Sequence, residues 1–420
     1  MPPCTRSHEL AAPPLDATRE CPLPAELLLE IVARSDAATL VRCAASCRPL
    51  RRDIVSPAFI RRVCREPDGI VPSSLLGFLN MNPTAIKGAR LPPASFSLAH
   101  PATAAAASFT EKHLAPFMSR SAPVAGLYDY RPRESRNGLV LLNGWGPTSG
   151  MIDHLCVYDP MAKTNQCTFV PGPPDSKYSG MPYEYVLLTA ADGIGSSFLL
   201  LAANFSGLTY GFIKVRTMQS NWCTWSPVTI ASYSGDQRCS SNQRGRAAVL
   251  GTLIHWLMCD NNGRYLHIVT YDVFTAKAGS VQLPSEGVPD RFQRSNRHLT
   301  STPNRGLRLL VADKLTISVW LLSGNAGWTR QAVIDTEETV RSVLRSSNTD
   351  MVEIMGFGVK SGVILLWPFT RNIDLKGLDR ETIIALDVET KEMHRAKRSY
   401  MLHLLYEVDL KARLLAMKTF

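Results

Sequence analysis

The side chains best able to do chemistry are scattered along this 420-residue chain rather than gathered into motifs. The nine histidines stand isolated, and no H-E-x-x-H pattern occurs to set two imidazoles on one helical face with a general base between them. The run Gly356-Phe-Gly358-Val-Lys360-Ser361-Gly362 has the outline of a phosphate-cradling loop. Such a loop needs glycine directly before the lysine and a helix after it. Here Val359 precedes Lys360 and an apolar strand follows, so the spacing predicts a hairpin. No G-x-S-x-G elbow is present. Gly144-Trp145-Gly146-Pro147 and Asp192-Gly193-Ile194-Gly195 read as turns between strands. No catalytic residue, no metal ligand and no cofactor is therefore expected, and the chain is read as a non-enzyme.

The ten cysteines include no C-x-x-C pair. Cys43, Cys47 and Cys64 fall in a helical region, and Cys156, Cys167, Cys223, Cys239 and Cys259 lie on or beside strands. Unpaired and spread out, they behave as small hydrophobes in a reducing compartment, which points to the cytoplasm or nucleus. Residues 1–20 mix proline, alanine and charges without an apolar core, so they predict a disordered lead-in and no secretory signal. No apolar run reaches membrane-spanning length. The formal charge of +10 is spread along the chain and carries no aromatic-basic motif, which argues against nucleic acid as a partner. Its one local excess (Arg42, Arg48, Arg51, Arg52, Arg61, Arg62 and Arg65) reads as a solvated helical face.

What must position any function is a chain of two parts, since 420 residues exceed one ordinary core. Residues 21–66 predict three short helices. Pro24 suits a first turn, and Leu27, Leu28 and Ile31 recur at three- and four-residue spacing. Asp36 can cap a second helix in which Leu40, Cys43, Ala44 and Cys47 share a face. Ser56-Pro57 marks a third start, with Phe59, Ile60 and Val63 as its apolar members. So small a helical unit makes a poor independent core and gains by laying apolar residues against a partner.

Leu23-Pro24-x-Glu26-Leu27-Leu28-x-x-Ile31, then Leu40, then Cys47-Arg48-x-Leu50-Arg51, resembles the F-box motif. The family often has Trp where Leu50 stands, and Leu-Pro where Arg34-Ser35-Asp36 stand. The resemblance implies that Leu23, Pro24, Glu26, Leu27, Leu28, Ile31, Leu40, Cys47 and Leu50 bind a Skp-family adaptor, and through it a cullin-RING ubiquitin ligase.

Residues 67–123, rich in Pro, Ala and Ser but holding short apolar pieces, predict an ordered connection. From 124 to 420 short Val/Ile/Leu/Tyr/Trp runs alternate with Gly, Pro, Asn and Asp clusters, the pattern of many strands. Gly138 to Trp145, Gly251 to Trp256 and Gly362 to Trp367 each read glycine, apolar strand, tryptophan, and the tryptophans recur every 111 residues. Each copy is followed by a strand ending in aspartate (Asp159, Asp272, Asp387) that can fix a tight turn. A second unit type alternates with it, from Phe198 to Trp225 and from Leu307 to Trp328. Units of about 55 residues suit four-stranded blades. The fold class expected is α+β multidomain: a three-helix F-box followed by an all-β, propeller-like domain of about five to seven blades, with a β-sandwich pair as the alternative. Leu402 to Met417 would supply a final hairpin closing the ring. The tryptophans are expected as packing between blades. This region looks like the β-rich associated domain of plant F-box proteins.

The resulting expectation is a substrate-recognition adaptor of an SCF-type ubiquitin ligase. The F-box would hold the adaptor, and loops of the ring would take an unknown protein substrate. Candidate loops are Pro171 to Met181, Ser232 to Arg244 and Pro284 to Arg297. The alternatives are a glycan- or small-molecule-binding propeller with a structural helical cap, or a hydrolase or oxidase whose groups converge in the central channel.

Overall fold

A strand that is apolar on both faces must be covered on both, and the runs Phe198-Leu-Leu-Leu-Ala-Ala and Val363-Ile-Leu-Leu are of that kind. The computed structural model meets the demand by stacking sheets around a ring. It describes residues 23–409, apart from 36–39, 41–42, 45, 64–73, 81–94, 101, 103–105, 108–109, 112–129, 146–151, 161–166, 175–182, 223, 234–246, 260–264, 285–296, 303–305, 325–326, 345–348, 370–381 and 398–402. The expected lead-in, and Asp36 as a cap, lie outside the described residues.

Three helices come first: α1 (Ala25–Ala33), α2 (Arg48–Ile54) and α3 (Pro57–Val63). Pro24 is the N-cap of α1, and the Ser56 hydroxyl accepts the Phe59 N–H at the start of α3, 3.3 Å away. Residues 40, 43, 44 and 46 are also helical. Cys47 belongs to none of these; in extended conformation it caps α2, with a proline in that helix's first turn.

Strands β1 (Ser74–Asn80) and β2 (Ser95–His100) follow. The first blade is β3 (Tyr130–Arg136), β4 (Leu139–Trp145), β5 (Ile152–Tyr158) and β6 (Cys167–Pro171). The second is β7 (Glu184–Thr189), β8 (Phe198–Asn204), β9 (Phe212–Gln219) and β10 (Thr229–Ser232). The third is β11 (Ala248–Leu250), β12 (Leu253–Cys259), β13 (Tyr265–Asp272) and β14 (Lys277–Gln282). The fourth is β15 (Arg297–Ser301), β16 (Leu307–Asp313), β17 (Thr316–Ser323) and β18 (Gly327–Asp335), followed by helix α4 (Glu337–Leu344). The fifth is β19 (Met351–Phe357), β20 (Val363–Phe369), β21 (Thr382–Asp387) and β22 (Met393–Lys397). The last strand, β23 (His403–Asp409), pairs antiparallel with β1 in a sheet of order β2-β1-β23. The described residues thus form a six-bladed β-propeller, not a sandwich.

Closure differs from the expected hairpin. Of residues 402–417 the described part is one strand, and it joins the ring through β1, seven residue pairs in register from Ser74↔Asp409 to Asn80↔His403. The stretch 67–123 therefore contributes two strands of a blade instead of serving only as a connection, and the propeller starts earlier than residue 124. The physical reason is edge protection: the sixth blade takes strands from both ends of the chain, so closing the ring costs no exposed seam.

Six hydrophobic clusters occupy the six seams. Leu141, Leu155 and Val157 meet Leu187 and Leu200 between blades one and two. Leu199 and Leu201, the alternate residues of the same β8, face Ile254 and Trp256 of blade three. This period-two division is why central strands are apolar at every position. Trp256 is buried edge-on against Phe205, their ring centroids 5.2 Å apart. The half-buried Trp225 and Trp328 go further than packing. Each donates its indole N–H to the last residue of the preceding blade's outer strand, Pro171 and Gln282, at 2.7 Å. The side chain of Trp145 lies outside the described residues.

The 111-residue period is two blades long. Gly138, Gly251 and Gly362 adopt positive φ (83°, 60° and 71°) directly before the second strand of blades one, three and five. Asp272 Oδ1 accepts the N–H groups of Phe274 and Thr275 at 2.9 Å. Asp387 Oδ1 accepts those of Glu389 and Thr390 at 2.8 and 2.9 Å. The Gly356–Gly362 segment is the expected hairpin between β19 and β20.

Candidate functional site

Helix α1 is apolar nearly all round, AELLLEIVA, and its two faces part ways. Val32 and Ala33 are buried and Leu29 packs beside them, in a cluster shared with Ile54, Phe59, Ile60, Leu75, Phe96 and Tyr406. The helical module thus rests on the seam between the sixth and first blades. The opposite face is bare: Leu23 is 42% exposed, and Leu27 and Ile31 are each 53% exposed. At intervals of four residues these three follow one side of the helix. Glu30 ties the exposed surface together, pairing with Arg34 at 2.8 Å and with Arg62 of α3. The Arg62 guanidinium holds the Glu30 carboxyl below its ordinary range.

Of the nine expected docking residues, Leu23, Pro24, Glu26, Leu27, Ile31 and Cys47 are exposed, and Leu28 and Leu50 are half-buried. Leu40 is the correction. It is wholly buried in the module's own cluster and has no face to offer a partner. Helical spacing identifies an apolar position without telling an inward stripe from an outward one.

The second feature is a cavity of about 240 Å³ in the central channel, reached by all six inner strands. Its polar side chains clamp neighbouring blades. Arg136 of blade one donates from Nε and Nη2 to the Asp192 carboxylate of blade two, at 2.9 and 2.7 Å, and reaches the Val249 carbonyl of blade three at 3.3 Å. Asp192 also accepts from the Thr189 N–H and hydroxyl, at 2.9 and 3.1 Å. Glu134 accepts the Leu187 N–H at 3.0 Å. Glu407 of blade six accepts the N–H groups of Lys360 and Ser361 in blade five, at 3.0 and 2.7 Å. Burial raises the Glu407 carboxyl, opposed by those same N–H groups. Carboxylates so engaged serve as structural bridges. His298, Thr300 and Ser301 also line the cavity. Among the described residues no three His, Cys, Asp or Glu side chains gather as a metal-binding set, and no helix is long and apolar enough to cross a membrane.

The cavity touches the ends where the inner strands turn outward into β4, β8, β12, β16 and β20. The three candidate recognition loops join an outer strand to the next inner strand, so their anchoring ends lie on the opposite face of the ring. Most of each loop (175–182, 234–246 and 285–296) lies outside the described residues. Two groups carried no local sequence signal. Arg136 and Asp192 are 56 residues apart and meet only through the ring. Glu184 begins β7, and burial pushes its carboxyl up to about 7 against the opposing charge of Arg133.

Residues 96–420 match the family model described as "Domain of unknown function (DUF7595)". No curated protein matches the chain. Among solved structures it is similar to the periplasmic gluconolactonase PpgL of Pseudomonas aeruginosa: 8% identity, TM-score 0.38, 78% of this chain and 83% of that one. It is also similar to a luciferin-regenerating enzyme: 9% identity, TM-score 0.31, 64% and 76% covered. A third is the β-propeller domain of Nup133 from Vanderwaltozyma polyspora: 11% identity, TM-score 0.29, 66% and 76% covered. At such scores these likenesses add nothing to the sheet order already described. The family match spans most of the sequence, and the chain belongs to the DUF7595 family.

Proposed function

We propose that this DUF7595 protein is a non-catalytic, substrate-selecting adaptor of an SCF-type ubiquitin ligase, working in the cytoplasm or nucleus. A Skp-family adaptor would bind the helical module through the exposed face of α1, and the propeller would hold a protein substrate. The observation that carries this reading is the row Leu23, Leu27 and Ile31, left uncovered while the module's core is completed by Val32, Ala33 and Leu40. A soluble chain seldom leaves such a row uncovered without a partner. The F-box-like spacing of the same residues names the class of partner. Burying a leucine-sized side chain contributes about 1.5–3 kcal/mol, so losing two would abolish a micromolar complex.

The test is co-purification of a Skp-family adaptor with the full chain, comparing wild type with the Leu27→Asp, Ile31→Asp double variant. Loss of the adaptor from the variant supports the reading, and equal recovery by both forms ends it. Point variants are preferred to removal of the module, because its cluster is continuous with Leu75, Phe96 and Tyr406 of the propeller.

The channel cavity favours a second reading, a propeller that binds a small polar ligand such as a sugar. It ranks below the first because the cavity's charged side chains are already engaged with one another and with backbone. Calorimetric titration of neutral sugars into wild type and a channel-filling Thr300→Trp variant tests it: heat from wild type alone would support it, and none from either would remove it.

A further inference from the structure

The outermost strand of a blade leaves every second residue's backbone N–H and C=O without a ladder partner, a template for another strand. The phase of this pattern in β10 is fixed by one bond: the Tyr233 N–H donates to the Gly211 carbonyl at 2.7 Å. With Ala231 opposite Ile213 and Thr229 opposite Val215, Thr229 and Ala231 turn their backbone groups toward β9. Val228, Ile230 and Ser232 therefore turn theirs outward. Edge strands are commonly blunted by charge or proline. Residues 229–232 contain neither, and Ile230 is 63% exposed.

Around this edge lies the largest grouping of uncovered apolar side chains outside α1. Tyr210, Trp222, Val228 and Ile230 are all exposed and all belong to the second blade. Tyr210 stacks on Phe212 with centroids 6.4 Å apart, and the Lys214 ammonium lies 5.8 Å from the Phe212 ring centre. Lys214 is paired directly with Ile230 across the ladder. No aspartate or glutamate occurs from Gly193 to Gly235, where Lys214 and Arg216 are the only charged residues. The edge is thus hydrogen-bonding, apolar and uniformly positive.

We propose that β10 accepts an extended segment of another protein, alternating apolar and acidic residues, as a fifth strand of the second blade. Backbone groups of Val228, Ile230 and Ser232 would pair with the segment, which is how strand addition gains affinity. Its apolar side chains would lie beside Ile230, and its carboxylates beside Lys214 and Arg216. A second copy of this chain fits poorly, since two β10 edges would bring the same positive charges together. The surface is independent of the adaptor reading; where that reading holds, this is a place for the substrate.

The test uses the full chain and two ten-residue fluorescent probes, one alternating valine and glutamate, the other valine and lysine, read by anisotropy. The acidic probe is expected to bind at least tenfold more tightly. Ile230→Pro deletes an outward N–H while sparing the inward bonds of Thr229 and Ala231, and should weaken binding at least tenfold. Lys214→Glu should reverse the preference between probes, and Phe274→Ala, an exposed aromatic on the third blade, should change nothing. Hydrogen exchange should show residues 228–232 protected by the acidic probe. If Ile230→Pro melts below wild type, Ile230→Asp, which keeps the backbone, must show the same loss. Equal binding of both probes, or undiminished binding by Ile230→Asp, overturns the proposal. So does a wild-type dimer with residues 228–232 already protected, which would assign the edge to a second copy.

Discussion

Arg136 and Asp192, on neighbouring blades, meet side by side through two hydrogen bonds of 2.9 and 2.7 Å, with side chains only 18% and 6% exposed. Removing one partner from such a pair leaves the other charge buried and uncompensated, which costs about 3–5 kcal/mol. Arg136→Ala should therefore lower the free energy of unfolding by that amount in a urea titration. A paired replacement, Arg136→Met with Asp192→Leu, should recover most of it, because the cost lies in the orphaned charge.

The two faces of the helical module should separate cleanly in stability. Ile31→Asp adds a charge to a side already in water and should shift the unfolding free energy by no more than about 0.5 kcal/mol. Leu40→Ala empties a fully buried site and should cost about 2–5 kcal/mol. Chemical denaturation of both variants checks the contrast. A large loss from Ile31→Asp would mean that the row on α1 is covered by its own chain.

The repeated aspartate turns make a third case. Ala276 and Lys391 close the turns begun by Asp272 and Asp387 with φ of 54° and 62°, a left-handed backbone that costs an L-residue about 1–2 kcal/mol. Ala276→Gly relieves that strain and gives back part of it in unfolded-chain entropy, so a net gain of about 0.5–1 kcal/mol is expected. Asp272→Ala, by contrast, deprives the Phe274 and Thr275 N–H groups of their acceptor and should lose about 1–2 kcal/mol. Thermal melts of the two variants should move in opposite directions.

The blade architecture was legible because it is written in local chemistry. Gly251, the apolar run to Trp256 and Asp272 mark a turn, a doubly covered strand and a second turn, and each lies where that reading puts it. Ring closure was not legible. Pairing Leu76 with Glu407 joins residues more than three hundred positions apart, and no period links them. The same holds for the channel, where Arg136 finds Asp192 only after two blades have stacked. On α1 the apolar residues were visible but their direction was not, since Leu27 and Leu29 look equally apolar until the propeller covers one of them.

Glu184 gives the pH prediction. Its carboxyl is raised from 4.5 to about 7, chiefly by burial, so the folded protein binds a proton there more tightly than the unfolded chain does. Its contribution to stability is then fully present below pH 4.5 and is lost as pH rises through 7. Above that point the ionised carboxylate destabilises the fold by up to about 3 kcal/mol. Glu184→Gln keeps the shape and removes the titration. It should match wild type near pH 4.5 and exceed it at pH 8, with the difference growing between those limits in urea titrations at a series of pH values. A constant difference across the series would show that the Glu184 carboxyl titrates alike in the folded and unfolded chains.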